Sequence, residues 1–308
     1  GGEVVMPSFA FPSTASAVVR AGARPVFAEV DPRHLGLDPR AVQRVLSPCT
    51  RAILYVDYGG FPGALEEIQR FAAHHRIPLI EDAAHALGSR TGGRPLGSFG
   101  SVGCVSFHET KLVTCGEGGV FLTNDDALAE AASVYREYGT NRSAFFRGEV
   151  DHYEWVGEGS SALLAEPLAA LLLAQLNRLP EILERQRARA QRYLDAFAPL
   201  AETGAFQMPM EDAGTVANWH IFYLLMKDSG ASRALIAALR QHGVDARRHF
   251  VPLHRSDYAQ RAGLVTGPLP VTESVAERLV RLPIYPALTA SEQTQVIEAV
   301  CREGSHHR

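Results

Sequence analysis

The sequence predicts an α/β fold: a large domain built on a mostly parallel sheet covered by helices, then a smaller α+β domain. Three observations carry this. Short apolar runs alternate with helical patterns through the first half, as strand–helix–strand units do. Beyond Ala201 the alternation gives way to strand runs followed by helical runs. Between them lies one long helical stretch, so the boundary is set near residue 180, giving domains of 1–180 and 181–308.

In chain order, strands are expected at Val4–Ser8, Pro25–Val30, Ala52–Val56, Pro78–Glu81, Gly103–Phe107 and Gly119–Thr123. A helix over Ala64–His75 follows the Pro62-Gly63 turn, and another covers Asp125–Tyr138. Thr140–Gly159 reads as a polar, aromatic-rich loop, long enough to be functional rather than filler. Leu163 to about Leu200 reads as helical, with Arg185, Arg187, Arg189 and Arg192 as a solvated face. Then come a strand over Asn218–Lys227, a capped helix over Ser232–His242 ending at Gly243, and a strand over Val244–Val251. Helices over Thr272–Arg281 and Ser291–Glu303 close the chain, and the tail Gly304–Arg308 is expected to be disordered.

Composition bounds the function. The chain has 308 residues, 46% hydrophobic and 21% charged, with a formal net charge of −4, which suits a globular protein and not a nucleic-acid-binding surface. The four cysteines show no C-x-x-C spacing and fit a reducing cytoplasm, so the expected localisation is cytoplasmic. The most apolar helical stretch, Ala162–Leu176, contains Glu166 and Pro167 and reads as a core helix, not a membrane span. No basic, apolar leader is visible at the start.

The chemistry concentrates around Ser106-Phe107-His108-Glu109-Thr110-Lys111 and Gly116-Glu117-Gly118-Gly119, between two strand-like runs. A lysine held on such a connection can form a Schiff base with an aldehyde cofactor. Twenty-nine residues earlier, the apolar run Ile77–Ile80 ends in Glu81-Asp82. A carboxylate at a strand's carboxyl end can keep a pyridine nitrogen protonated, and ligands of open α/β sheets sit at those ends. The glycine-rich run lacks phosphate-loop spacing and reads as a tight turn beside Lys111. His220, His249 and His254 match no metal-ligand spacing, and no metal is expected.

Glu81-Asp82-Ala83-Ala84-His85, Ser106–Lys111 and Gly116–Gly119 resemble the pyridoxal-phosphate sugar aminotransferases of the DegT/DnrJ/EryC1/StrS family. Within it, Ser106–Lys111, Tyr138–Ser143 and Phe145–Gly148 are similar to the branch of dTDP-4-amino-4,6-dideoxygalactose transaminases. The resemblance runs nearly the whole length. It implies a fold-type I pyridoxal 5'-phosphate (PLP)-dependent transferase acting as a homodimer with shared active sites. The implied reaction moves an amino group from glutamate to the C4 ketone of a dTDP-linked 4-keto-6-deoxyhexose, the nucleotide-sugar substrate. A sugar 3-aminotransferase of the same family is the alternative. A family 3-dehydratase would carry histidine where Lys111 stands.

The resemblance implies roles residue by residue. Lys111 anchors the cofactor and shuttles a proton, Asp82 holds the ring nitrogen, and Phe11 stacks on the ring. His85 lies near the phenolic oxygen and Ser106 reaches the phosphate. Asn141, Arg142 and Arg147 suit the nucleotide diphosphate and sugar hydroxyls. Two departures stand out. Gly159-Ser160-Ser161 replaces the usual Gly-x-Asn-x-Arg, so Ser161 is expected to reach the partner subunit's phosphate. Glu166-Pro167-Leu168 replaces Asp-Leu-Gln, with the proline tolerable in a first helical turn. Family members also carry an upstream helix and phosphate loop, whereas this sequence opens at Gly1 in a strand-like run. It therefore reads as a fragment, expected to bind cofactor weakly, or as one that is catalytically dead.

Overall fold

Apolar runs separated by helices can pair only through crossovers, and crossovers make parallel sheets. The computed structural model, which describes residues 1–264 and 267–305, follows this rule. In chain order its strands are β1 (Glu3–Pro7), β2 (Arg24–Ala28), β3 (Thr50–Val56), β4 (Leu79–Asp82), β5 (Arg90–Thr91), β6 (Arg94–Pro95), β7 (Val102–Ser106), β8 (Gly119–Leu122), β9 (Phe206–Gln207), β10 (Thr215–Val216), β11 (Phe222–Met226) and β12 (Leu279–Leu282). The main sheet has the order β2-β1-β3-β4-β7-β8. Its first five strands pair in parallel, and β8 returns antiparallel to β7. Residues 107–118, which join β7 to β8, contain no helix to carry a crossover, so the chain doubles back. Each of the six main-sheet strands coincides with an expected run to within two residues.

Both faces of this sheet are covered, as parallel sheets require. Val5, Ile53 and Tyr55 pack on one side with Leu65 and Ile68 from the helix Leu65–His75. Val4, Met6 and Leu54 pack on the other with Val18 from the helix Pro12–Arg20. Because β1, β3, β4 and β7 run the same way, their carboxyl ends deliver Ser8, Asp57, Asp82 and Ser106 to one edge. The second core gathers Tyr193 and Phe197 of the long helix Leu179–Glu202 against Phe222, Leu224 and Val280 of the sheet β12-β11-β9. Among the described residues no helix is long and apolar enough to cross a membrane.

The structure departs from expectation in six places. The region from Leu163 is two helices, Glu166–Leu176 and Leu179–Glu202, broken at Asn177-Arg178; Pro167 and Pro180 each occupy a first turn, where no backbone N–H is lost. The loop after Thr140 holds a short helix, Arg142–Phe146. Of the four arginines, only Arg185 sits in a solvent-side ion pair, with Glu181. Arg187 donates to the Ala217 carbonyl and Arg192 to the Ala290 carbonyl, so these tie the long helix to its neighbours. Val244–Val251 is not a strand, because its backbone turns at Val244-Ala246 and pairs only at Arg247 with Arg281. Leu279–Leu282 is strand β12 and not helix: Leu279 is already extended (φ −74, ψ 130), and the run pairs along β11. Gly304 and Ser305 continue the last helix, Ala290–Ser305, while His306–Arg308 lie outside the described residues.

One buried carboxylate clamps the two parts together. Glu29, just after β2, accepts hydrogen bonds from the backbone N–H of Val271 (3.0 Å) and Thr272 (2.8 Å) and from the Thr272 hydroxyl (2.5 Å). It therefore caps the helix Pro270–Arg278 from outside, satisfying donors that the helix itself cannot. Glu29→Ala leaves those donors buried without partners and is expected to cost on the order of 3 kcal/mol. Urea denaturation of the variant measures this. Unchanged stability would show that the clamp contributes nothing.

Candidate active site

The site is assembled from strand ends. Asp82 terminates β4, and its buried environment pushes the carboxyl above its usual range. Opposing that shift, Thr14 Oγ1 donates to Oδ2 (2.8 Å), the Ala84 N–H donates to Oδ1 (3.1 Å), and the Lys111 charge favours the anion. Thr14 comes from the helix Pro12–Arg20, whose Pro12 start places the preceding Phe11 at the N-cap. Asp82 takes part in no ion pair among the described residues.

Behind Asp82 the carboxylates are kept apart in role. Glu81 is fully buried and accepts N–H bonds from Gly97 (2.5 Å), Phe99 (2.6 Å) and Gly100 (3.3 Å), which tie it into the loop before β7. Asp57, after β3, is pushed well above the carboxylate range by burial first and then by the Glu81 and Asp82 charges. That shift favours the neutral form of Asp57, whereas at Asp82 the Thr14 hydroxyl, the Ala84 N–H and Lys111 favour the anion.

Lys111 sits in the connection between β7 and β8, and the connection is pinned on both sides. Phe107, Val113 and Cys115 are buried in the core below the sheet. The Phe107 N–H donates to the Gly118 carbonyl (2.8 Å), and the Cys115 N–H donates to that of Phe107 (3.0 Å). Thr114 exchanges two hydrogen bonds with the Gln175 amide on the helix Glu166–Leu176. Gly118 is required here, since a Cβ on it would stand 2.6 Å from Cys115 Sγ. The Lys111 side chain is half-buried. Burial holds its pKa below the usual lysine value, Arg281 adds to that, and Asp82 opposes it.

His85 packs 4.6 Å, ring centroid to ring centroid, from His220 and 6.2 Å from His249. The Gly59 N–H donates to His85 Nδ1 (3.3 Å), which leaves the proton of the neutral ring on Nε2. Burial, then His220 and Lys111, hold His85 well below its usual pKa; His220 is lowered to about 3, by burial first and then by Lys111. The Tyr58 hydroxyl and His249 Nδ1 are hydrogen-bonded at 2.6 Å. Burial lowers His249 as well, with Arg281 next. These rings form an uncharged, polar wall.

Of the residues singled out by sequence, Asp82, His85, Ser106, Lys111 and Phe11 lie on this edge. Ser106 ends β7, and its Oγ accepts from the His108 N–H at 3.3 Å. Phe11 is 59% exposed, which rules out a core role, and its ring lies 6.1 Å from Phe250. Ser161 is exposed and hydrogen-bonded to the Tyr138 hydroxyl at 2.9 Å, with its backbone bridged to Glu137. Asn141, Arg142 and Arg147 make their contacts locally. Asn141 accepts from the Glu154 N–H, Arg142 covers the Phe146 ring, and Arg147 pairs with Glu130 and Glu149. Among the described residues no hydrogen bond joins these four to the Lys111 wall. His254 stands apart too, held between Ser8 and Glu273.

Sequence reasoning missed Thr14, Tyr58 and Arg281 and gave His220 and His249 no role. Thr14, three residues after Phe11, was within reach of that reasoning. Arg281 was not, because its segment read as the end of a helix.

The set fits a pyridine aldehyde bearing a phosphate. A half-buried carboxylate outside any ion pair suits a cation, and a ring nitrogen held protonated is one. Phe11 leaves a free aromatic face, Ser106 offers a hydroxyl donor to an anion, and Lys111 offers an amine of reduced basicity. Among the described residues no group of three or more His, Cys, Asp or Glu is gathered as a metal site.

Comparison with known proteins agrees with this chemistry. The model of the DegT/DnrJ/EryC1/StrS aminotransferase family matches residues 1–301. The chain is similar to the aminotransferase TlmJ from Streptoalloteichus hindustanus, with 31% identity over 100% of this chain and 80% of that one and a TM-score of 0.90. DesV of S. venezuelae, solved in complex with a ketimine intermediate, is 32% identical over 98% of this chain and 78% of its own, with a TM-score of 0.88. DesI, solved in the presence of its TDP-sugar product, is 30% identical over 100% and 76%, with a TM-score of 0.87.

The lowered basicity of Lys111 gives a pH prediction. Its labelling by an aldehyde under reducing conditions is expected to reach half-maximum below about 10.4, the free-lysine value. In Asp82→Asn the midpoint falls further, since Asp82 is the neighbour that raises this pKa. Peptide mass spectrometry across pH follows the midpoint, and an unchanged or higher midpoint in the variant contradicts the coupling.

Proposed function

The chain belongs to the DegT/DnrJ/EryC1/StrS aminotransferase family, and from that premise we propose that it transfers an amino group from glutamate to C4 of a dTDP-linked 4-keto-6-deoxyhexose. Its chemistry is that of a PLP-dependent sugar aminotransferase. The observation that carries the reading is Lys111, half-buried and of lowered basicity, facing an unpaired Asp82 across the carboxyl ends of β4 and β7.

When bound, PLP supplies an electron sink that lets a proton leave the carbon bonded to the migrating nitrogen. Asp82 would hold its ring nitrogen, oriented by Thr14 and the Ala84 N–H. Phe11 would cover one face of the ring, with stacking adding on the order of 1 kcal/mol beyond burial. Ser106 would donate to the phosphate and His85 Nε2–H to the phenolic oxygen. The Lys111 amine would hold the aldehyde carbon and would serve as the base and acid that moves a proton between carbons. The half-buried histidine wall adds no charge.

The sugar assignment draws on Tyr138–Gly148 and on the TDP-sugar product in whose presence DesI was solved. In this reading Asn141, Arg142 and Arg147 turn from their local partners to the diphosphate and hydroxyls. The chain divides near residue 180, and the enzyme works as a homodimer in which Ser161 reaches the partner's cofactor phosphate. Support for a covered surface comes from Val120, Phe121 and Leu122 on β8 and Leu171 and Leu173 on the helix Glu166–Leu176, all exposed.

Two variants and one product analysis test this. Lys111→Ala is expected to leave no borohydride-fixed cofactor on the protein and no transamination, whereas fixed cofactor in that variant removes Lys111 from its role. Asp82→Asn is expected to lower the rate on the order of 10²-fold or more; a near wild-type rate would make Asp82 a structural cap. With glutamate and dTDP-4-keto-6-deoxyglucose, NMR of the product should show nitrogen on C4. Nitrogen on C3 of a 3-keto sugar, with the 4-keto sugar refused, would establish the 3-aminotransferase instead.

A further inference from the structure

Asp57 is a buried acid that the chemistry above leaves unused. It directly follows β3, has no solvent exposure, and neither of its carboxyl oxygens meets a hydrogen-bond donor. The strand register says what faces it. Tyr55 lies opposite Glu81, so Asp57, two residues on, shares a sheet face with Glu81. The two side chains meet at hydrogen-bonding distance. Glu81 is equally buried, and its oxygens already accept three N–H bonds from the loop before β7. That loop lies hard on the sheet, since a Cβ on Gly103, the β7 residue opposite Glu81, would collide with the Gly97 carbonyl. Among the described residues neither acid takes part in an ion pair. The titratable groups that face Asp57 are Glu81 and Asp82 from β4 and Tyr55 from β3, all of them acids.

Two carboxylates in contact are two sets of acceptors, and out of water a proton between them turns that contact into a bond. Both Glu81 oxygens are engaged by N–H groups, with room to accept one more, so the donor is Asp57. We propose that Asp57 carries a proton at neutral pH, donates it to Glu81, and by that bond positions the turn that aligns His85. The turn is Tyr58–Gly60. Asp57 holds its base from both sides: its N–H donates to the Asp82 carbonyl (3.1 Å), and its carbonyl accepts from the Gly60 N–H (3.0 Å). The turn then presents the Gly59 N–H to His85 Nδ1 (3.3 Å) and the Tyr58 hydroxyl to His249 Nδ1 (2.6 Å). That His85 serves a cofactor rests on the aminotransferase reading above; the shared proton does not.

The test uses the full chain without added cofactor. Above about pH 4, where an unfolded aspartate ionises, the folded wild type holds one proton more than the unfolded chain. Its stability from this group is therefore full below that pH and falls as pH rises toward the folded value. Asp57→Asn keeps the shape and a donor but has no proton to lose. Relative to that variant, the unfolding constant of wild type in urea is expected to climb about tenfold per pH unit from about pH 4.5 to about pH 7. A constant ratio across that range means an ionised Asp57, served by a water or a cation, and overturns the proposal. Wild type alone gives an independent reading, because 13C NMR of its aspartate carboxyls should show one still in the acid form at about pH 7. Finding none in that form contradicts the proposal even if the variant fails to fold. The positioning is read from imidazole 15N shifts. His85 should keep its proton on Nε2 in wild type and in Asp57→Asn and lose that preference in Asp57→Ala, whereas an unchanged His85 in Asp57→Ala removes the positioning role. A protein that passes these tests but transaminates nothing would refute the aminotransferase reading and leave the shared proton standing.

Discussion

A half-buried carboxylate outside any ion pair among the described residues organises this structure. Asp82 is desolvated at the end of β4, where its ionised form is favoured only by the Thr14 hydroxyl, the Ala84 N–H and the Lys111 charge. Desolvation is the largest of these influences, and it disfavours the ionised carboxylate. Lys111 relieves it in part, and the other ionisable groups nearby add little charge. Glu81 is turned into the loop before β7 by three N–H bonds, the Asp57 carboxyl is pushed toward its neutral form, and burial holds the histidines below their usual pKa. A ligand that brings its own positive nitrogen settles that imbalance, and the same low-polarity surroundings strengthen the pairing once it forms.

The topology serves this constraint. Parallel pairing of β1, β3, β4 and β7 gathers four strand ends on one edge, and the antiparallel return of β8 forces the intervening segment into a pinned loop. Lys111 is thereby held on a connection whose neighbours Phe107, Val113 and Cys115 are core residues. Anchoring of this kind fixes the direction from which the amine approaches while leaving its side chain free to swing.

The sequence made the large sheet and the Asp82–Lys111 pair legible for a common reason. Strands buried on both faces read as near-continuous apolar runs, and a charged residue closing such a run stands out. The second core was less legible. Leu279-Val280-Arg281-Leu282 follows directly on the helix Pro270–Arg278 with no glycine or proline between them, so the change of period was hidden until pairing with β11 imposed it. Val244–Val251 had strand-like residues but lacks a partner beyond Arg247, and an unpaired run does not make a strand. His220 and His249 were set aside for want of metal spacing. Their place beside His85 comes from contacts more than a hundred residues apart, which no local pattern encodes. Ser161, Asn141, Arg142 and Arg147 were named through family resemblance, and the contacts they make within one chain are local.

The central claim is that Asp82 exists to hold a protonated ring nitrogen next to Lys111. The most direct measurement is the 15N chemical shift of PLP labelled at that nitrogen, bound to wild type and to Asp82→Asn, across pH. The account predicts a protonated nitrogen throughout the neutral range in wild type and an unprotonated one in the variant. A protonated nitrogen in both proteins, or in neither, would contradict it.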